Sequence, residues 1–77
     1  MKLERYKDLS GNGGITGYKF LDDGIILQFK YQDLYLYDDK KPGKGHIEQM
    51  KILAKRGKGL TTYVNQNVRE NFKEKIK

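Results

Sequence analysis

The densest apolar run of the chain is GIILQFKYQDLYLYD, from Gly24 to Asp38, with Tyr35 and Tyr37 near its end. It reads as two strands of an antiparallel hairpin. Before it, Ile15 to Leu21 alternates, with Tyr18 and Phe20 on one face, and predicts a further strand. Asp22-Asp23-Gly24 lies between the two runs. Asp-Gly there suits a type I′ turn, whose two central residues both need positive φ. With Asp23-Gly24 as the loop, Phe20 faces Leu27 and Tyr18 faces Phe29. Those four residues then share a face, and Lys19, Gln28 and Lys30 lie mostly on the other.

The next turn, around Tyr31-Gln32-Asp33, leaves two arrangements open. A three-residue loop sets Phe29 opposite Tyr35 and Leu27 opposite Tyr37, so both tyrosines enter the core. A two-residue loop puts Leu34 and Leu36 there instead and turns the tyrosines outward, as a platform on which unpaired bases stack. Size favours the buried arrangement, because a chain this short needs its large aromatics inside.

After Asp38 to Gly45, a polar loop holding the only proline, Pro42, the period becomes helical. Ile47, Met50, Leu53 and Ala54 form a narrow apolar stripe, and Gly57 is a stop signal. Thr61 or Thr62 is placed to cap a second helix, with Tyr63 or Val64, then Val68, Phe72 and Ile76 as its inward face. Cations near its C-terminal end, Lys73, Lys75 and Lys77, suit the helix dipole. At the other end, Leu3, Tyr6 and Leu9 recur at a spacing of three, which predicts a short helix or an extended arm. The expected fold is α+β, a three-stranded antiparallel meander packed on one face by two C-terminal helices. Residues 1–13 are the N-terminal arm or short helix, 14–38 the meander and 44–77 the helical part of one domain, since 77 residues hold too little volume for two cores.

Charge adds an asymmetry. Residues 1–43 hold seven Lys/Arg and seven Asp/Glu, whereas residues 44–77 hold nine Lys/Arg against three acids, so the net +6 sits in the second half. A polyanion is the natural partner for such a surface, and a solvated helical face is the plain alternative. The best candidate cluster is Lys51, Lys55, Arg56 and Lys58 with Arg69 and Lys73. Its lysines suit phosphates better than base edges. Asn65 and Asn67 are candidates for hydrogen bonds to sugars or bases, or for capping a loop. There is no cysteine, which fits a reducing cytoplasm, and no stretch approaches the roughly 20 apolar residues of a membrane span.

Candidate chemistry is sparse. His46 is the only histidine, which with no cysteine leaves no transition-metal set. Asp22-Asp23 and Asp38-Asp39 are adjacent acids better explained as turn residues, and Ser10 has no general base in a triad pattern. Ser10-Gly11-Asn12-Gly13-Gly14 holds Thr16 where a dinucleotide fingerprint needs its third glycine. Neither Gly43-Lys44-Gly45 nor Gly57-Lys58-Gly59 carries Ser or Thr after its lysine, as a phosphate-binding loop would. A non-catalytic module without cofactor or metal is expected.

The hairpin with Phe29 near the end of its second strand, the pair Tyr35-Leu36-Tyr37 and the stretch Ala54-Lys55-Arg56-Gly57 stand in order. They are followed by Val64-Asn65-Gln66-Asn67-Val68-Arg69 and Phe72. Together, from Gly14 to Phe72, they resemble the KTSC domain, named for the lysyl-tRNA synthetase C-terminus. The chain departs from that pattern at Tyr31-Gln32-Asp33, where the family loop is Asn-Gly-like, and at Asp38-Asp39-Lys40-Lys41-Pro42, in place of Val-Pro. The segment from Gly57 to Val64 is also longer than the family's. The resemblance implies a small α+β module for which RNA binding has been suggested. The expected partner is therefore RNA, tRNA or single-stranded, held by the helical cations with Tyr35 and Tyr37 as stacking rings. An acidic protein met by the same basic face is the alternative.

Overall fold

The computed structural model describes residues 2–11 and 13–77. Met1 of the predicted arm and Asn12 of the glycine-rich break lie outside the described residues. The elements run β1 (Glu4–Arg5), β2 (Ile15–Leu21), β3 (Gly24–Phe29), β4 (Leu34–Asp38), α1 (Lys44–Arg56), α2 (Leu60–Asn67) and β5 (Glu74–Lys75). The class is α+β with an antiparallel sheet and two helices. The sheet, however, has five strands in the order β1-β2-β3-β4-β5, not three, and the helices are inserted between β4 and β5 instead of ending the chain.

Pairing along β2–β3–β4 differs from expectation at both turns, yet the faces keep their residues except Ile15, which a bulge before Gly17 turns into the core. The first hairpin closes at Leu21 opposite Gly24, so Asp22-Asp23 is the loop, one residue earlier than expected. Gly24 is needed in the strand and not in the turn. A Cβ there would lie 2.4 Å from the Tyr37 carbonyl oxygen, so only glycine lets β4 approach. Tyr18 now faces Leu27 and Phe20 faces Ile25. The second loop is Lys30-Tyr31-Gln32, closed by the Phe29 N–H donating to the Asp33 carbonyl at 2.9 Å. Gln32 takes the left-handed position at φ 75° that a three-residue hairpin loop requires. Leu27 then faces Tyr35 and Ile25 faces Tyr37. A one-residue move of the loop shifts partners by two, and two is the side-chain period of a strand. Both tyrosines therefore point to the core face.

The stripe of α1 is buried as expected at Ile47, Met50, Leu53 and Ala54. Gly57, in the left-handed conformation, ends the helix and donates its N–H to Leu53 and Ala54 carbonyls at 2.9 and 3.2 Å. These residues join Ile15, Ile25, Leu27, Tyr37, Leu60, Val64 and Val68 in one core.

α2 corrects the sequence expectation twice. Its N-cap is Gly59, not Thr61 or Thr62. Thr61 lies inside the helix, buried, with Oγ1 accepting the Ile15 N–H at 3.3 Å. The helix also stops at Asn67 instead of continuing to Ile76. Asn65-Gln66-Asn67 favours a helix weakly, whereas β4 offers an open edge. The chain takes that edge. Lys73 N–H donates to the Leu36 carbonyl at 2.7 Å, Ile76 N–H to Leu34 at 2.8 Å, and Leu34 N–H to Lys77 at 3.0 Å. Phe72 reaches the core from this extended segment, and Lys73, Lys75 and Lys77 serve no helix terminus.

The N-terminal arm is extended, not helical, and pairs with β2 through Glu4 opposite Tyr18. Tyr6 is its anchor, buried, with its hydroxyl accepting the Leu60 N–H at 3.0 Å. A tyrosine 54 residues away thus satisfies one of the free N–H groups at the start of α2. Burial pushes the Tyr6 phenol above its ordinary pKa.

Replacing Gln32 by Gly relieves a left-handed side-chain residue. The variant is expected to gain about 0.5–1 kcal/mol, read as a higher urea midpoint at unchanged slope. A lower midpoint would show that the 3.3 Å side-chain hydrogen bond from Gln28 to Gln32 outweighs that relief.

Candidate functional site

The structure distributes the predicted cations instead of gathering them. Lys51, on α1, donates from Nζ to the Leu21 carbonyl at 2.5 Å and the Asp22 carbonyl at 3.4 Å, and lies 5.7 Å from the centroid of the Phe20 ring. It braces the first hairpin. Lys73 pairs with Asp38 at 3.6 Å. Asp38 in turn accepts the Lys41 and Lys40 N–H groups at 2.9 and 3.0 Å. The Lys41 bond above all holds its carboxyl below the usual range, and the Lys73 ammonium adds to the effect. Asp38-Asp39 is thus turn chemistry. Lys55, Arg56 and Lys58 stand exposed at the C-terminal end of α1 and just beyond it.

Arg69 goes elsewhere, into a cleft of about 550 Å³ formed where the β3–β4 hairpin and β5 meet the end of α2. Its floor is aromatic. Tyr35, half-buried, meets Phe29 edge-on with centroids 5.4 Å apart and Phe72 tilted at 4.6 Å. Its rim is charged. Lys30, Arg69 and Lys75 line it together with Asp33 and Glu70. Lys75 Nζ lies 5.8 Å from the Tyr35 centroid and 4.0 Å from Asp33. At the mouth, Tyr31 is 78% exposed, with Lys30 Nζ 5.2 Å from its ring centroid.

The two tyrosines expected to act together part company. Tyr35 keeps an open edge on the cleft. Tyr37 has no exposed surface, and its hydroxyl donates to the Arg69 carbonyl at 3.1 Å, so it offers no face to a base. Instead it fixes the backbone of Arg69, which lines the cleft. Of the asparagines, Asn65 lines the cleft and Asn67 donates to the Tyr63 carbonyl at 3.0 Å. His46 is engaged with the Tyr63 hydroxyl at 2.6 Å.

Sequence reasoning missed Lys30, Tyr31 and Lys75. Lys30 was assigned to the outer face of a strand, Tyr31 to a turn and Lys75 to a helix. An aromatic residue at a loop tip, where no core can reach it, was the available signal. Among the described residues, no group of three His, Asp or Glu side chains is placed to hold a metal ion, and no helix is long and apolar enough to cross a membrane. Comparison with models of known families, with curated proteins and with solved structures returns no match.

Burial raises the Tyr37 pKa to about 12, with smaller opposing effects from Tyr35 and Arg69. A phenol raised in the folded state contributes stability fully present below its unfolded pKa of about 10 and lost as pH rises through the folded value. The fold is therefore expected to lose roughly 3 kcal/mol at this site between about pH 10 and 12. Tyr37→Phe should remove that part of the pH dependence, while costing about 1 kcal/mol at neutral pH for the unpaired Arg69 carbonyl. Urea midpoints of the two proteins across this range provide the check, and parallel curves would show that folding does not raise the Tyr37 pKa.

Proposed function

We propose that this chain is a non-catalytic module that binds single-stranded nucleic acid, RNA first among the candidates, in the aromatic cleft. The observation that carries the reading is the juxtaposition of an exposed ring, Tyr31, half-buried rings behind it and three cations around them. Bases stack on aromatic faces without regard to sequence, and flexible cations hold the phosphates between them. In this reading Tyr31 and the open edge of Tyr35 receive bases, and Lys30, Lys75 and Arg69 meet phosphates. Asn65 supplies a hydrogen bond from the wall. Lys55, Arg56 and Lys58 add to the field that draws a polyanion toward a chain of net charge +6. The resemblance to KTSC domains supports the same reading. The acidic-protein alternative keeps the cations and leaves the exposed ring without a role.

The test is fluorescence anisotropy of a labelled oligouridylate at two or more salt concentrations. Binding is expected to weaken with salt, and Tyr31→Ala to weaken it roughly five- to a hundredfold, the worth of one stacked base. Lys30→Ala and Lys75→Ala should each lower the salt slope by about 0.7. Lys51→Ala, which loses a brace and no phosphate contact, should leave the slope unchanged. Absence of binding at low salt overturns the proposal. Displacement by polyglutamate as readily as by unlabelled RNA would transfer the site to an acidic protein.

A further inference from the structure

The side of the sheet away from the helices carries an apolar surface of its own. Because Tyr35 and Tyr37 point inward, Leu34 and Leu36 point outward, beside Ile26 on β3. Ile26 is only 5% exposed, yet it is not part of the core shared by the sheet and helices. Leu21 on β2 is partly exposed, and Ile76, whose N–H donates to the Leu34 carbonyl, is 38% exposed. An antiparallel sheet that faces water normally turns polar side chains to it. This one turns aliphatic residues to both sides.

This face also carries Arg5 and Asp38 in other rows, and two of its charges close the row through Ile26 and Leu36. Lys19 pairs across β2–β3 with Ile26, Ile26 across β3–β4 with Leu36, and Leu36 across β4–β5 with Glu74. One straight row therefore reads cation, isoleucine, leucine, anion, its ends about 14 Å apart at the usual strand spacing. Glu74 is exposed and Lys19 partly so.

We infer that this face binds a second copy of the chain about a two-fold axis running parallel to the strands, between Ile26 and Leu36. Rotation about that axis reverses the row. Lys19 then faces Glu74 of the second copy, Ile26 faces its Leu36, and the same contacts recur with the copies exchanged, as an isologous interface requires. Two sheets stack about 10 Å apart, a gap that aliphatic side chains fill. The other two-fold axis in the sheet plane, perpendicular to the strands, would set Lys19 against Lys19 and Glu74 against Glu74. Like charges so placed are repelled, so the row itself selects between the two arrangements. The cleft lies on the opposite side of the sheet and stays open in the dimer.

The experiment is sedimentation equilibrium of the whole chain from micromolar to millimolar concentration. The expected mass rises from 9.0 kDa toward twice that value. Lys19→Glu and Glu74→Lys each create two like-charge pairs and are expected to weaken association roughly tenfold or more. The double variant restores both pairs with their signs exchanged and should return association close to the original. Circular dichroism confirms that each variant is folded. A monomer mass at every concentration overturns the inference. So does association that either single reversal leaves unchanged or that the double variant fails to restore, which would point to a different axis or surface.

Discussion

Tyr37 has no exposed surface, and its single polar atom is satisfied by the Arg69 carbonyl. A phenol is costly to bury without such a partner, so β4 has one favoured orientation about its own axis. Everything built on β4 inherits it. Tyr35 must share the inward face, where it meets Phe29 and Phe72. Leu34 and Leu36 must share the outward one. Because Arg69 is the acceptor, the bond also fixes where the chain turns after α2, and so where Arg69 stands beside the cleft.

Facial assignments were legible in the sequence because strand geometry protects them. Both loops lie one residue earlier than turn chemistry suggested, yet each displacement moved the pairing by two, which keeps Tyr18, Phe20, Leu27, Tyr35 and Tyr37 on the expected face; Ile15 alone joins them, through a bulge before Gly17. Gly24 shows why the turn itself was misplaced. Asp-Gly has a strong turn preference, but the closeness of the Tyr37 carbonyl is a demand from a different strand that no local pattern contains. The stripe of α1 and the stop at Gly57 were legible because they depend on residues three or four apart.

What escaped was non-local. Val64, Val68, Phe72 and Ile76 keep a helical spacing, and only the first two lie at or beside α2. The spacing was real, but the competing structure was an open β4 edge more than thirty residues earlier. The same holds for Tyr6, whose hydroxyl meets the start of α2. The site was obscured for a related reason. Net charge summed along the chain singled out the second half, whereas the cleft takes Lys30 from the first half and Arg69 and Lys75 from the second.

The short α2 then links the fold to both surfaces. Eight helical residues span about 12 Å, against about 20 Å for the six of β3. Past the end of the helix, Phe29 and Tyr35 stay half-exposed and line the cleft. The residues it does not use become β5, which brings Lys75 over Tyr35 on one side of the sheet and Glu74 beside Leu36 on the other. Both helices contribute to a single core on one side of the sheet, and on the other Ile26 is buried while Leu34 and Leu36 keep part of their surface exposed. A strand alternating leucine and tyrosine needs a layer on each side. This chain supplies one, and the charge order across its open face fits a second copy as the other.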